Sequence, residues 1–152
     1  MMNKEAKKNY VEEMKKNFSS NESVMIAQYQ GLNVNELDEL RKQLREKGIL
    51  FKITKNRITK IAIKETPVKD LEKYFTGPTA AAISSDPIST AKILTKFAKS
   101  HNKLKIVAGF MDGKVLDREE VAIIATLPSL EEARAKIVGI LASPAQKLVS
   151  IL

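Results

Sequence analysis

The chain has no cysteine and no tryptophan, one histidine, six glycines and only 5% aromatic residues. Without cysteine there can be no disulfide frame, thiol nucleophile or thiolate metal site. His101, in the run Lys-Ser-His-Asn-Lys, is too isolated to build a histidine metal centre or a Ser-His pair, and it reads as a surface or capping residue. No run approaches the roughly 18 apolar residues that a membrane span needs, so no membrane partner is expected. The opening MMNKEAKKNYVEEMKKNF mixes Lys with Glu and lacks the apolar stretch of a secretory signal, which makes a cytoplasmic location the expectation.

Catalytic motifs are missing as well. No GxGxxG, HExxH or GxSxG occurs. Gly109-Phe-Met-Asp-Gly113-Lys114-Val115 is superficially like a phosphate-binding loop, but it has one residue too few between its glycines and a Val where Ser or Thr would hold magnesium. Asp112-Gly113 reads instead as a tight hairpin turn into Lys114-Val115-Leu116. Most carboxylates sit near helix starts, where capping and the helix dipole account for them without acid–base chemistry. The expectation is a protein that is not an enzyme and needs no cofactor or metal.

What the sequence does have is apolar mass and positive charge. At 152 residues and 43% hydrophobic content it can bury the core of one domain, residues 1–127, followed by a C-terminal helical segment, 128–152. The net charge is +8 and unevenly spread: residues 106–152 hold 5 basic and 6 acidic groups, so the excess lies in the first two thirds. From Lys47 to Lys64 six cations occur without one carboxylate, and the natural partner of such a segment is a polyanion.

Periodicity supplies the elements. Lys4 to about Phe18 reads as a helix with Tyr10, Val11, Met14 and Phe18 on one side, and Ser23 to Tyr29 as a buried strand. The spacing of Asn33 and Glu36 predicts a capped helix that Gly48 stops. Ile49 to Ile53 is a second strand, Lys55 to Lys64 a helix ended by Pro67, and Val68 to Tyr74 a short helix. Thr79 to Ile83 is a third strand, Asp86-Pro87 opens a helix to about Ser100, and Leu104 to Phe110 is the fourth strand. Asp117 with Glu120 and Ser129 with Glu132 open two more helices, and Ser143-Pro144 announces a last one. That helix stops on Val149-Ser150-Ile151-Leu152 with apolar residues still in phase, as if cut short or in need of a partner. The expected fold class is α/β (α+β): a ferredoxin-like sandwich with a four-stranded sheet built from two crossover units, followed by C-terminal helices.

The candidate binding residues combine three chemistries. Gly31 lets backbone approach a sugar-phosphate chain, Tyr29 beside Gln30 can stack on an unpaired base, and Lys52, Lys55, Arg57 and Lys60 can neutralise phosphates. Lys55-Asn56-Arg57 opens a helix whose backbone N–H groups suit phosphate. Lys4, Lys7 and Lys8 extend the same candidate RNA face, although Glu5, Glu12 and Glu13 partly neutralise their helix. The bland alternative is a solvated charge run. For Leu148, Val149, Ile151 and Leu152 the choice is between packing on their own domain and lying in a partner's groove; the second is preferred because nothing follows to bury them.

Several segments in order carry a family resemblance. Met25-Ile-Ala-Gln-Tyr-Gln-Gly-Leu32, Leu40-Arg-Lys-Gln-Leu-Arg45, Phe51-Lys-Ile-Thr-Lys-Asn56, Gly77-Pro-Thr79, Leu104-Lys-Ile-Val-Ala-Gly109, Leu127-Pro-Ser129 and Pro144-Ala-Gln-Lys-Leu148 span nearly the whole chain. In these the sequence resembles bacterial large-subunit ribosomal protein ten, at the base of the ribosomal stalk. The resemblance implies a domain bound to 23S rRNA beside stalk-base protein eleven, through Tyr29, Gly31, Lys55 and Asn56. It further implies a C-terminal helix holding dimers of the acidic stalk protein (protein seven/twelve), which recruit translation factor GTPases, and repression of the protein's own messenger. Gln30 stands where Arg is common in that family and Arg57 where Thr is common. The family's last helix continues through further apolar repeats, one per stalk dimer, of which only Pro144 to Leu152 is present here. The rival readings are a small basic RNA-acting enzyme or ribosome assembly factor, and a pure protein-interaction module.

Overall fold

The computed structural model describes residues 3–152. Its strands are β1 (Ser23–Gln28), β2 (Leu50–Ile53), β3 (Thr79–Ser84), β4 (Lys105–Met111) and β5 (Lys114–Asp117). Its α-helices are α1 (Lys4–Ser20), α2 (Val34–Glu46), α3 (Asn56–Ile63), α4 (Pro87–Ser100), α5 (Arg118–Thr126) and α6 (Leu130–Ile151). The short helix after Pro67 is a 3-10 helix over Lys69–Tyr74.

All neighbouring strands pair antiparallel, in the order β2-β3-β1-β4-β5. Because β3 lies between β1 and β2, those two run parallel, and β3 and β4 run parallel across β1. The two β-α-β units are thus interleaved, the arrangement expected of a ferredoxin-like sheet. The sheet has five strands where four were expected. Asp112 and Gly113 both take positive φ, 50° and 81°, so the turn closes a tight hairpin and Lys114–Asp117 pairs fully with β4.

Both faces of the sheet are covered. On one, Met25, Ala27, Ala82 and Ile106 meet Leu40 and Leu44 of α2, Leu94 and Phe97 of α4, and Val121 and Ile124 of α5. On the other, Val24, Ile26, Ala81, Ile83 and Phe110 meet Met14 and Phe18 of α1, Ala62 and Ile63 of α3, Leu71 and Phe75. Two-sided burial explains why β1 and β3 read as continuous apolar runs rather than alternating ones. The alanines of β3 keep the central strand thin, and at Gly109 an added Cβ would lie 3.1 Å from Val121 Cγ2, so α5 packs directly on β4 backbone.

The three anticipated capping pairs, Asn33–Glu36, Asp117–Glu120 and Ser129–Glu132, all form capping boxes, and Asp86 caps α4 through the N–H groups of Ile88 and Ser89. Pro144 does not begin a separate helix. Gly139 keeps ordinary helical φ, so no left-handed C-cap forms ahead of the proline, and α6 runs through it for 22 residues. The missing Pro144 N–H leaves the Ile140 carbonyl without its intrahelical donor.

Candidate nucleic-acid interface

Strand register brings several loops to one end of the sheet. Gln28, at the end of β1, faces Thr79 at the start of β3 and Lys105 at the start of β4, while Ile53 at the end of β2 faces Ala80. The segments after β1 and β2 and before β3 and β4 therefore converge there. Gly31 has φ +89°, and a Cβ at that position would lie 3.6 Å from Lys103 Cδ. Gly77, with φ +73°, sits beside the Gln28 amide, which donates to the Thr76 carbonyl at 3.1 Å.

Asn56 fastens this end together. Its Nδ2 donates to the Gly77 carbonyl at 2.7 Å, and its Oδ1 accepts from the Thr79 hydroxyl at 2.7 Å. Thr54, buried, adds a hydroxyl pairing with Thr79 at 3.0 Å and a backbone N–H to the Thr79 carbonyl. With both ends of its amide engaged, Asn56 holds Lys55 and Arg57 against the Gly77 turn.

Lys7, Thr54, Lys55, Asn56, Arg57 and Gly77 line an open groove of about 580 Å³ whose apolar wall is Ile58 and Ile61. The N-cap of α3 is Lys55, a side chain with no acceptor, and the first turn carries no acid. Lys7, Lys55 and Arg57 therefore share this groove with the positive end of α3.

The remaining candidates fall around this groove unevenly. Tyr29, Gln30 and Gly31 lie at the same sheet end, and the Tyr29 ring is half-buried against the core beneath α2 and α4, which leaves only part of it open. Lys52 reaches back to an ion pair with Glu13 of α1, so its charge is partly spent within the protein. Lys60 is one turn further along α3 and half-buried, and Lys4 and Lys8 are exposed on α1. Sequence reasoning missed Gly77 and Lys103, whose partners are distant in sequence.

The second candidate surface is α6, which has no buried residue. Leu148, Val149, Ile151 and Leu152 are all exposed, as are Ile137, Val138, Ile140 and Leu141 one to three turns earlier. Ile137, Leu141, Leu148 and Ile151 share one stripe at helical spacing. The N-terminus of α6 is tied to α4 by an ion pair of Glu132 with Lys92. The Lys92 contact and the Ser129 backbone N–H hold the Glu132 carboxyl below its ordinary range.

A family model described as Ribosomal protein L10 matches residues 2–99. The chain belongs to the ribosomal protein L10 family. Membership is supported along the whole length by proteins named large ribosomal subunit protein uL10. That of Pelagibacter ubique is 58% identical over 99% of this chain and 91% of its own length. That of Rhodospirillum rubrum is 43% identical over 99% of this chain and 87% of its own length. That of Parvibaculum lavamentivorans is 45% identical over 82% and 72%. The L10 family match spans α1 through most of α4, and so includes the whole Lys7–Lys55–Arg57–Gly77 groove. Among the described residues no cluster of His, Asp or Glu could hold a metal, and no helix is long and apolar enough to cross a membrane.

Proposed function

We propose that this chain is a structural, noncatalytic component of the large ribosomal subunit, working in the cytoplasm as part of the ribosome. In this reading residues 1–127 bind 23S rRNA at the stalk base, beside stalk-base protein eleven. Residues 128–152 hold acidic stalk protein dimers, which recruit translation factor GTPases. The observation that carries the RNA half is the convergence of Lys7, Lys55 and Arg57 around the Gly77 turn at one end of the sheet. Lys and Arg neutralise phosphate, Gly31 and Gly77 admit close backbone approach, and the open part of Tyr29 can stack on an unpaired base. The partner half is carried by the exposed stripe of α6, an amphipathic helix presented for a complementary groove. Repression of its own messenger, through a leader that copies the rRNA site, would use the same groove.

Two variants separate the halves. Lys55→Ala with Arg57→Ala should weaken binding to the stalk-base rRNA fragment and lower its salt dependence by about one counterion each, with stalk-dimer capture unchanged. Leu141→Asp with Leu148→Asp should do the reverse. An unaltered salt slope in the first variant would remove the groove from the RNA surface. Stalk-dimer capture that survives the second would remove α6.

A further inference from the structure

From Pro87 to Met111 the chain carries Lys92, Lys96, Lys99, Lys103 and Lys105 and not one carboxylate, a longer acid-free run than the one at Lys47–Lys64. Lys92, Lys96 and Lys99 follow one another at i, i+4 and i+7, so they form a row along one face of α4. That row borders α5. A groove of about 440 Å³ is lined by Lys99, Lys105 and Arg118, and a second of about 480 Å³ by Lys92, Lys96 and Lys99. The two share Thr95, Lys99 and Ala122, and together they make one channel along the α4–α5 seam.

No carboxylate lines either groove. Among the described residues, Lys96, Lys99, Lys105 and Arg118 make no ion pair, whereas Lys92 is bonded to Glu132. Glu120, on the first turn of α5, is turned back to accept the Asp117 N–H. Four cations thus border one channel with no carboxylate among its lining residues, a surface whose positive potential favours an anion.

The floor of the channel narrows the choice of anion. Ala98, Ala122, Ala125 and Thr95 line it, Leu104 and Ile106 beside them are buried and offer little apolar surface, and no aromatic ring lines it. A surface for splayed single-stranded bases needs rings to stack on, and an amphipathic peptide needs apolar pockets. Lysines on flexible stems over a floor without rings suit the phosphate backbone of an A-form duplex, which proteins recognise by shape and charge rather than by base edges.

We propose that the α4–α5 channel is a second RNA contact that receives a duplex phosphate backbone, with Lys96, Lys99, Lys105 and Arg118 as its cations. It rests on the reading that the chain binds rRNA. It belongs to the layer opposite the α1–α3 groove, and the two surfaces meet at the sheet end, where Lys103 lies against Gly31 and Lys105 faces Gln28. An RNA held on both layers would fix the orientation of the domain, which neither groove could do alone.

The test uses the whole chain, the stalk-base rRNA fragment and a salt series. Lys96→Gln, Lys99→Gln and Arg118→Gln together should lower the salt slope by about two to three counterions and leave the thermal midpoint unchanged. Lys96→Arg with Lys99→Arg, which keeps the charge, should preserve the slope. If the triple variant keeps the full slope while Lys55→Ala with Arg57→Ala loses part of it, the channel is not on the RNA and the proposal fails alone. If the unaltered chain does not select the fragment over a scrambled stem, the rRNA reading fails and takes this one with it. A full slope accompanied by loss of binding to poly(glutamate) would assign the channel to an acidic protein and overturn the proposal.

Discussion

Helices α1 to α5 each send at least two buried side chains into one of two cores, whereas α6, the longest helix in the molecule, sends none. The first group exists because burial selects it: each places an apolar stripe on a sheet face already shaped by β1 and β3. Helix α6 has only local support, namely the Ser129–Glu132 capping box, Glu131 and Glu132 at its positive end, and one ion pair to α4. A helix that keeps a full apolar stripe in solvent is stabilised mainly by its own sequence, with one ion pair to its domain. In the function proposed above, that difference makes α6 the surface for another molecule and the α/β domain its mount.

Core substitutions should sharpen this contrast most. Leu94→Ala, at a fully buried site between α4 and the sheet, should cost about 2–5 kcal/mol in a urea titration of the domain. Leu148→Ala, on the exposed stripe, should shift the same midpoint by less than about 0.5 kcal/mol. Equal losses in the two variants would show that α6 is packed after all.

Loss of the α6 cap comes next in size. Ser129→Ala removes the hydroxyl that accepts the Glu132 N–H and should cost about 1 kcal/mol of helix stability. Faster amide exchange in the first turns of α6, with α1 to α5 unchanged, would be the signature. A matching loss of protection across the whole domain would contradict the separation.

The smallest effect expected is with pH. Glu132 releases its proton more readily in the folded chain than in the unfolded one, so its contribution is complete above the ordinary glutamate range. It fades as pH falls through the lowered value. The α4–α6 contact should therefore hold through mild acid and loosen only as the pH falls below the ordinary glutamate range, followed as the chemical shift of Lys92, and Lys92→Gln should remove the dependence.

Local chemistry was legible in the sequence and long-range chemistry was not. Asn33–Glu36, Asp117–Glu120 and Ser129–Glu132 could be read because a cap is decided within four residues, and β1 and β3 because two-sided burial makes continuous apolar runs. The fifth strand was under-read because a four-residue hairpin arm becomes a strand only by pairing with β4. Pro144 was misplaced because a proline that starts a helix and one embedded in it look alike until the preceding turn is known. Lys55, Asn56 and Arg57 stood out as a cationic helix start, but the amide of Asn56 binds Gly77 and Thr79, more than twenty residues away, and no local pattern announces that. The α4–α5 channel was overlooked because its lysines are separated by apolar residues that belong to the core, which hides an acid-free run inside an ordinary amphipathic helix.

The most direct test of the account is the affinity of the whole chain for the isolated stalk-base rRNA fragment against a scrambled stem of equal length, measured across a salt series. Tight binding whose preference for the fragment over the scrambled stem persists as salt rises is the predicted result. Equal, weak and steeply salt-dependent binding to both would contradict it, and would reduce the grooves to a generic basic surface.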